Sequence, residues 1–446
     1  MMFDLCVHIG TRTSKECEHP PMALIVAKFG GTSVGSPERI RGVADRLIKI
    51  RERGDRVVAV VSAMGKTTDE LMALAAAVND DPPARELDRL LSTGEQVSMT
   101  LLALALEAKG YKAISYTGRQ AGIQTNGTHN KAKIVKVHNE RIERALDAGY
   151  IPVVAGFQGI DANGDMTTLG RGGSDTTAVA VAWGIGADIC EIYSDVDGVY
   201  TTDPRIAPRA RKLKSISYDD MLELSSAGSG VLQMRAVEFA KKWGVTIHAR
   251  SAFSDAPGTL VKEESLMEQA VITGIAYDTS EMKVTIRHVP DTTGVAAKVF
   301  GALSEAMVNM DMIIQNTSLD GATDISFTCP EADLPRAVET IGQMIEEIGA
   351  DGWDVDEDVA KVSLVGTGMK TSPGVAARAF QTMSDNDINI MAISTSPIRL
   401  SMVIRAADGK RAVQVLHTAF ELDSESVFEE TQLSAEEIAA KMQKGR

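Results

Sequence analysis

Apolar residues in this chain fall into short unbroken blocks rather than alternating with polar ones. Residues 23–27, 56–61, 112–116, 151–155 and 189–193 each read as a strand. Unbroken apolar blocks belong to strands covered on both faces, as in a parallel sheet between helices. Between the blocks, apolar residues recur at helical spacing. The first such run reaches from Pro37 to about Arg53, with Ser36 placed to cap it. Strands alternating with helices predict a mostly parallel α/β sheet whose ligands lie at the carboxyl ends of the strands. The turns after Lys28, Val61 and Tyr193 all follow strands in this way and are expected to share one crevice.

The second half follows a different pattern, and it repeats. Lys283-Val-Thr-Ile286 matches Lys361-Val-Ser-Leu364. Gly294-Val-Ala-Ala-Lys-Val-Phe300 matches Gly374-Val-Ala-Ala-Arg-Ala-Phe380, and Val308-Asn-Met310 matches Ile388-Asn-Ile390. Each copy reads as strand, turn, amphipathic helix, strand, strand, which predicts two small modules or one paired module.

Composition narrows the partners. The chain has 446 residues, 44% hydrophobic and 24% charged, enough core material for about three domains. No apolar run approaches the ~20 residues of a membrane span. A net charge of −15 without a basic stripe argues against nucleic acid. Cys6, Cys17, Cys190 and Cys329 lack paired metal spacing and read as free thiols of a reducing cytoplasm. Residues 1–21 have no secretory pattern, and they read as a disordered extension or a misassigned start before Met22.

Three stretches carry candidate chemistry. Lys28-Phe-Gly-Gly-Thr-Ser33 is a strand running into Gly30 and Gly31 beside a lysine, a plausible phosphate cradle but not a Walker A. Thr168-Leu-Gly-Arg-Gly-Gly-Ser-Asp175 holds Gly170, Gly172 and Gly173 before an apolar helix. Ser174 is expected to cap that helix, with Asp175 in its first turn and Arg171 offering a fork to a carboxylate or phosphate. Ser194-Asp-Val-Asp-Gly-Val-Tyr-Thr-Thr-Asp-Pro-Arg205 gathers carboxylates, hydroxyls, an aromatic and an arginine after a strand; it reads as nucleotide pocket or long surface turn. Glu95 reads as a solvated helix residue or as the binder of a substrate ammonium.

Together and in this order, these stretches resemble the aspartate kinase branch of the amino-acid kinase family. The resemblance runs from about Met22 to the end of the chain. It implies a three-layer αβα amino-acid kinase domain over 22–265, then two ACT-type βαββαβ-like regulatory modules over 266–350 and 351–446. It implies transfer of the ATP γ-phosphoryl, with Mg²⁺, to the side-chain carboxylate of L-aspartate. The product is 4-phospho-L-aspartate, on the route to lysine, threonine, methionine and isoleucine. By the same resemblance Lys28 and Asp175 are catalytic, while Ser62, Thr68, Glu95, Arg171, Gly172, Gly173 and Ser174 bind the amino acid. The nucleotide falls to Lys28, Phe29, Gly30, Gly31, Ser194, Asp195, Tyr200, Arg205 and the segment around Gly230. Relatives commonly carry a lysine at Gly230, for which Arg235 or Lys241 are the expected substitutes. No protein ligand is assigned to the metal.

The repeat becomes an amino-acid sensor for lysine, threonine or both. Its effector residues are Asp291, Gly294, Ala296, Gln315, Asn316 and Asp324 of one copy, and Asn389 and Ile390 of the other. Homo-oligomerisation through these modules is the family expectation. Met267 stands where an internal start would yield a shorter product keeping both repeats.

Overall fold

The computed structural model describes residues 22–263, 271–316 and 321–424. Residues 1–21, Met267 and the tail beyond 424, where a closing helix is expected, lie outside the described residues. The first half is built on an eight-stranded sheet in the order Ser215–Ser217, Thr259–Lys262, Ile247–Ser251, Ile189–Ser194, Leu24–Phe29, Arg56–Val61, Ile151–Ala155 and Ala113–Tyr116. Every neighbouring pair is parallel except Ile247–Ser251 with Thr259–Lys262.

The unbroken apolar blocks are explained by what each face meets. Ile25, Ala27, Phe29, Val57, Ala59 and Val61 pack on one side with helices Pro37–Glu52 and Thr93–Glu107. Val26, Val58, Val60 and Val154 face the other side, against helices Glu140–Asp147, Gly173–Gly184 and Met234–Trp243. Successive strand residues point to opposite faces, so a strand covered twice has no polar positions to alternate. The result is the expected three-layer αβα domain. A four-stranded sheet of Ile123–Thr125, Ile134–Val137, Gln158–Ile160 and Met166–Thr168 flanks it.

The regulatory half holds two four-stranded sheets. One module runs βαββαβ from Glu281–Pro290 through helix Val295–Glu305, Ile313–Gln315, Ala322–Pro330 and helix Leu334–Ile348 to Gly352–Asp356. The other runs from Val359–Val365 through helix Val375–Asp385, Ile390–Ser396 and Arg399–Arg405 to helix Gly409–Ala419. Its fourth strand, Gly274–Asp278, comes from ahead of the first module and pairs antiparallel with Val359–Val365. The sheets therefore do not divide at 350/351. Strand Gly352–Asp356, assigned by sequence to the second copy, pairs with Glu281–Pro290 of the first. The first module is inserted between the strands of the second.

Charged contacts tie the modules to each other and to the first half. Buried Lys361 reaches Glu281 at 2.5 Å and Asp311 at 2.6 Å. Asp220, buried on helix Tyr218–Ser226, accepts from the Thr273 hydroxyl at 2.9 Å and the Thr367 amide at 3.0 Å.

Candidate active site

Strand parity places the central lysine. Val26 faces the layer that contains helix Gly173–Gly184, so Lys28, two residues on, emerges from the same face at the carboxyl end of its strand. The N-terminus of that helix lies there, with Asp175 in its first turn. Lys28 and Asp175 form an ion pair, only 8% and 7% exposed. A carboxylate in a first helical turn is also favoured by the helix dipole.

The Gly-rich turn is built differently from the sequence expectation. Ser174 does not cap the helix. Gly172 occupies the cap with φ 72°, the helix starts at Gly173, and Ser174 lies inside it. Gly170 is likewise left-handed at φ 77°. A Cβ on Gly172 would stand 2.3 Å from Gln233 Cγ, so the position needs both the glycine conformation and the glycine size. Ser174 is buried beneath Gly156, where a Cβ would come within 2.7 Å of its Oγ.

Neighbouring strands bring the predicted loops together. Phe29 is in register with Val61 on one side and Tyr193 on the other. The turns starting at Gly30, Ser62 and Ser194 therefore leave the sheet side by side, as expected. The Gly30 amide is spent on the Tyr193 carbonyl at 3.2 Å, which leaves Gly31 as the amide of that pair to offer a phosphate. Gly31 packs against the Ser62–Gly65 turn, whose Gly65 amide donates to the Gly31 carbonyl at 3.0 Å. Ser62 donates its amide to the Phe29 carbonyl at 3.1 Å, and Thr68 sits in the first turn of helix Thr67–Val78.

Glu95 is not solvated. It is 2% exposed, and its Oε1 accepts the Ala63 amide at 3.0 Å. Its Oε2 is buried without a partner. Burial pushes its carboxyl up to about 7. Helix Thr93–Glu107 comes this close to the Ser62–Gly65 turn because residue 94 is glycine; a Cβ there would lie 2.9 Å from that of Ala63. A buried carboxylate oxygen lacking a donor is suited to an ammonium.

The outer residues divide. Arg171 is exposed at the tip of the Gly-rich turn. Tyr200 donates to Asp197 at 2.8 Å, and Asp197 also receives Lys212 at 3.1 Å. Arg205 turns back on Asp203 with contacts of 3.0 and 2.7 Å and is not brought to the Lys28 pair. Asp195 is exposed.

Neither expected substitute for a lysine at 230 is free. Arg235 donates to the carbonyls of Leu169 and Ala132, both at 2.6 Å, and Lys241 pairs with Asp219 at 2.5 Å. Arg235 instead braces the Gly-rich turn from below. Sequence reasoning gave it no such role, and missed Gln233 and Asp88. Buried Asp88 binds His129 Nδ1 at 2.7 Å and the Asn130 amide at 3.0 Å, and the Asn130 carbonyl lies under Gly170. The available signal was a single acid on the apolar face of helix Ala84–Leu91.

A Cβ at Gly230 has no heavy atom within 4 Å. Gly230→Lys should therefore fit and lower the ATP concentration for half-maximal rate ~2- to 5-fold, as a solvent-screened cation allows. An ATP saturation curve checks this; an unchanged curve would show that a lysine there does not reach the phosphates.

Two family patterns match this geometry. The amino acid kinase family matches residues 23–251, and the ACT domain matches 283–344 and 362–420. The chain belongs to the amino acid kinase family. Within it, an aspartokinase of Corynebacterium efficiens is 52% identical over 407 residues, covering 90% of this chain and 97% of that one. The aspartate kinase of Synechocystis is 42% identical, with a TM-score of 0.51 over 90% of this chain and 69% of that one. E. coli aspartokinase III, solved with aspartate and ADP, shares the fold at a TM-score of 0.74 and 24% identity, over 89% of this chain and 99% of that one. This member of the aspartokinase branch thus joins the kinase domain to two ACT modules. The ACT matches leave out the exchanged strands 274–278 and 352–356. Among the described residues no helix is long and apolar enough to cross a membrane.

Proposed function

We propose that this protein is an aspartate kinase that moves the γ-phosphoryl of ATP onto the side-chain carboxylate of L-aspartate, giving 4-phospho-L-aspartate. The buried Lys28–Asp175 pair at the meeting point of three strand ends carries the reading. An aspartate side chain titrates near ~3.9, so the nucleophile arrives ionised and needs no general base. What the site must supply is position and positive charge for the transferred group. Lys28 supplies the charge and Asp175 fixes its direction. Glu95 takes the substrate ammonium on its unpartnered oxygen, and Arg171 takes a substrate carboxylate. Gly31, Ser194, Asp195 and Tyr200 border the nucleotide.

Mg²⁺ would accompany ATP and neutralise charge on its phosphates. Among the described residues no group of three or more His, Cys, Asp or Glu side chains is arranged to hold a metal ion. The cation is read as held mainly by phosphate oxygens and water, with no protein ligand assigned. An ADP-release assay over a panel of amino acids tests the activity. Release with aspartate supports it; preference for glutamate, or no release with any amino acid, would overturn it.

The ACT modules are read as the sensor for lysine, threonine or both. Gly294, left-handed at φ 99°, ends the 291–294 turn where helix Val295–Glu305 begins, and it opens that N-terminus to an effector carboxylate. Asp324, with Gln315 on the neighbouring strand and Asn316 just past its end, belongs to the same module, and Asn389 and Ile390 to the other. The strands of residues 315 and 390 approach each other through Ile314 and Met391, which pack on one cluster. Ala296 is the second residue of the helix and is half-buried. Ala296→Tyr should raise the effector concentration for half-inhibition by about tenfold, since overpacking costs about 1–3 kcal/mol. Inhibition curves for lysine, threonine and their mixture, each normalised to the variant's own uninhibited rate, check this. Three unchanged curves would remove the site. Assembly through the ACT modules, with or without a shorter product from Met267, and a cytoplasmic setting belong to the same proposal.

A further inference from the structure

The segment carrying Tyr200 and Arg205 is gripped from behind by the regulatory half. Thr201 is fully buried, and each of its polar groups is engaged. Its amide donates to the Arg211 carbonyl at 2.9 Å, and its carbonyl accepts the Ile275 amide at 2.7 Å. Its hydroxyl accepts the Arg211 amide at 3.0 Å and shares a hydrogen bond with His417 Nε2 at 2.9 Å. Ile275 is in the exchanged strand Gly274–Asp278, and His417 is in helix Gly409–Ala419. Both belong to the second ACT module.

The fit is close. A Cβ on Gly274 would stand 2.9 Å from the Thr201 carbonyl oxygen. Further along, the same helix donates from Gln414 to the Ile206 carbonyl at 2.8 Å, and Asp423 beyond it meets Arg209 at 3.5 Å. Segment 199–209 thus has one side docked on the regulatory module while Tyr200, next to Thr201, turns to Asp197 and the loop behind Ser194. Burial lowers the His417 pKa, so the ring is neutral near pH 7 and the contact is a plain hydrogen bond.

We propose that Thr201 and His417 form a positioning contact through which the second ACT module holds segment 194–205 in the arrangement that binds ATP. This rests on the reading of that segment as part of the nucleotide site. A loop that loses one anchor samples other arrangements, and its apparent ligand affinity falls with the fraction still competent. The hydroxyl and the imidazole touch neither substrate in this scheme. Their loss is therefore expected in ATP saturation and not in aspartate saturation.

The experiment compares Thr201→Val, His417→Leu, His417→Gln and Tyr200→Ala in the full-length enzyme. Thr201→Val removes the hydroxyl with little change of shape, and it carries the test if His417→Leu fails to fold. A hydrogen bond of about 0.5–1.5 kcal/mol corresponds to an ATP KM raised ~3- to 10-fold in Thr201→Val and His417→Leu. The aspartate KM and kcat should stay within about twofold, and calorimetric ADP affinity should fall in step. His417→Gln, whose amide reaches the Nε2 position, should restore ATP saturation. An equal loss for both substrates, or an unchanged ATP KM in folded Thr201→Val while Tyr200→Ala raises it, overturns the inference alone. An unchanged ATP KM in Tyr200→Ala as well overturns the nucleotide assignment together with it.

Discussion

Lys28→Met should lower kcat by a factor of ~100 to 1000, the effect of removing one preorganised charge of about 2.7–4 kcal/mol from the transferred group. Lys28 is buried on the strand face that meets helix Gly173–Gly184. No other described cation is bonded to Asp175. The single variant also strands a buried carboxylate, which costs about 3–5 kcal/mol of stability on its own. A thermal melt must therefore accompany the assay. Lys28→Met/Asp175→Asn keeps a neutral pair and should melt above Lys28→Met, yet remain as inactive. The two losses do not add, because Asp175 acts through Lys28. Turnover of the folded double variant within tenfold of the parent would end the assignment of both residues.

In the sequence Lys28 and Asp175 were joined only through a family resemblance, yet local rules account for their pairing. A strand of unbroken apolar residues fixes which face Lys28 takes, and three glycines before an apolar helix fix where a first-turn acid stands. The cap was misread for a reason equally local. Ser174 is a preferred N-cap residue, but Gly172 in the left-handed region caps the helix two residues earlier, and Ser174 lies beneath Gly156. Module boundaries were not legible. The repeat in the sequence aligns 283–286 with 361–364, whereas the strand that completes the second sheet precedes the first repeat. Nothing in a five-residue strand states which sheet it joins. The same holds for Arg235, whose two carbonyl partners lie 66 and 103 residues away.

Glu95 gives the other large effect, and it is one that pH can read. Its carboxyl stands at about 7 in the free enzyme instead of the ordinary 4.5, because burial penalises the charge more than the Ala63 amide relieves it. Aspartate brings an ammonium that needs the ionised form. The aspartate KM should therefore rise as pH falls below about 7, approaching tenfold for each unit. Glu95→Gln keeps the shape and the Ala63 hydrogen bond but cannot ionise. Its aspartate KM at pH 8 should be raised ~30-fold or more, and its variation between pH 5 and 7 should flatten. Stability moves the opposite way. A carboxyl whose folded value lies above its unfolded one contributes stability that is full below 4.5 and is lost as pH rises through about 7. At about 1.4 kcal/mol for each pH unit, that gap is ~3 kcal/mol. Ligand-free Glu95→Gln should therefore melt above the parent at pH 8 and level with it near pH 4. Aspartate should raise the parent's melting temperature at pH 8 far more than the variant's. An aspartate KM at pH 8 equal to the parent's would remove Glu95 from the ammonium site, whatever the melting curves show.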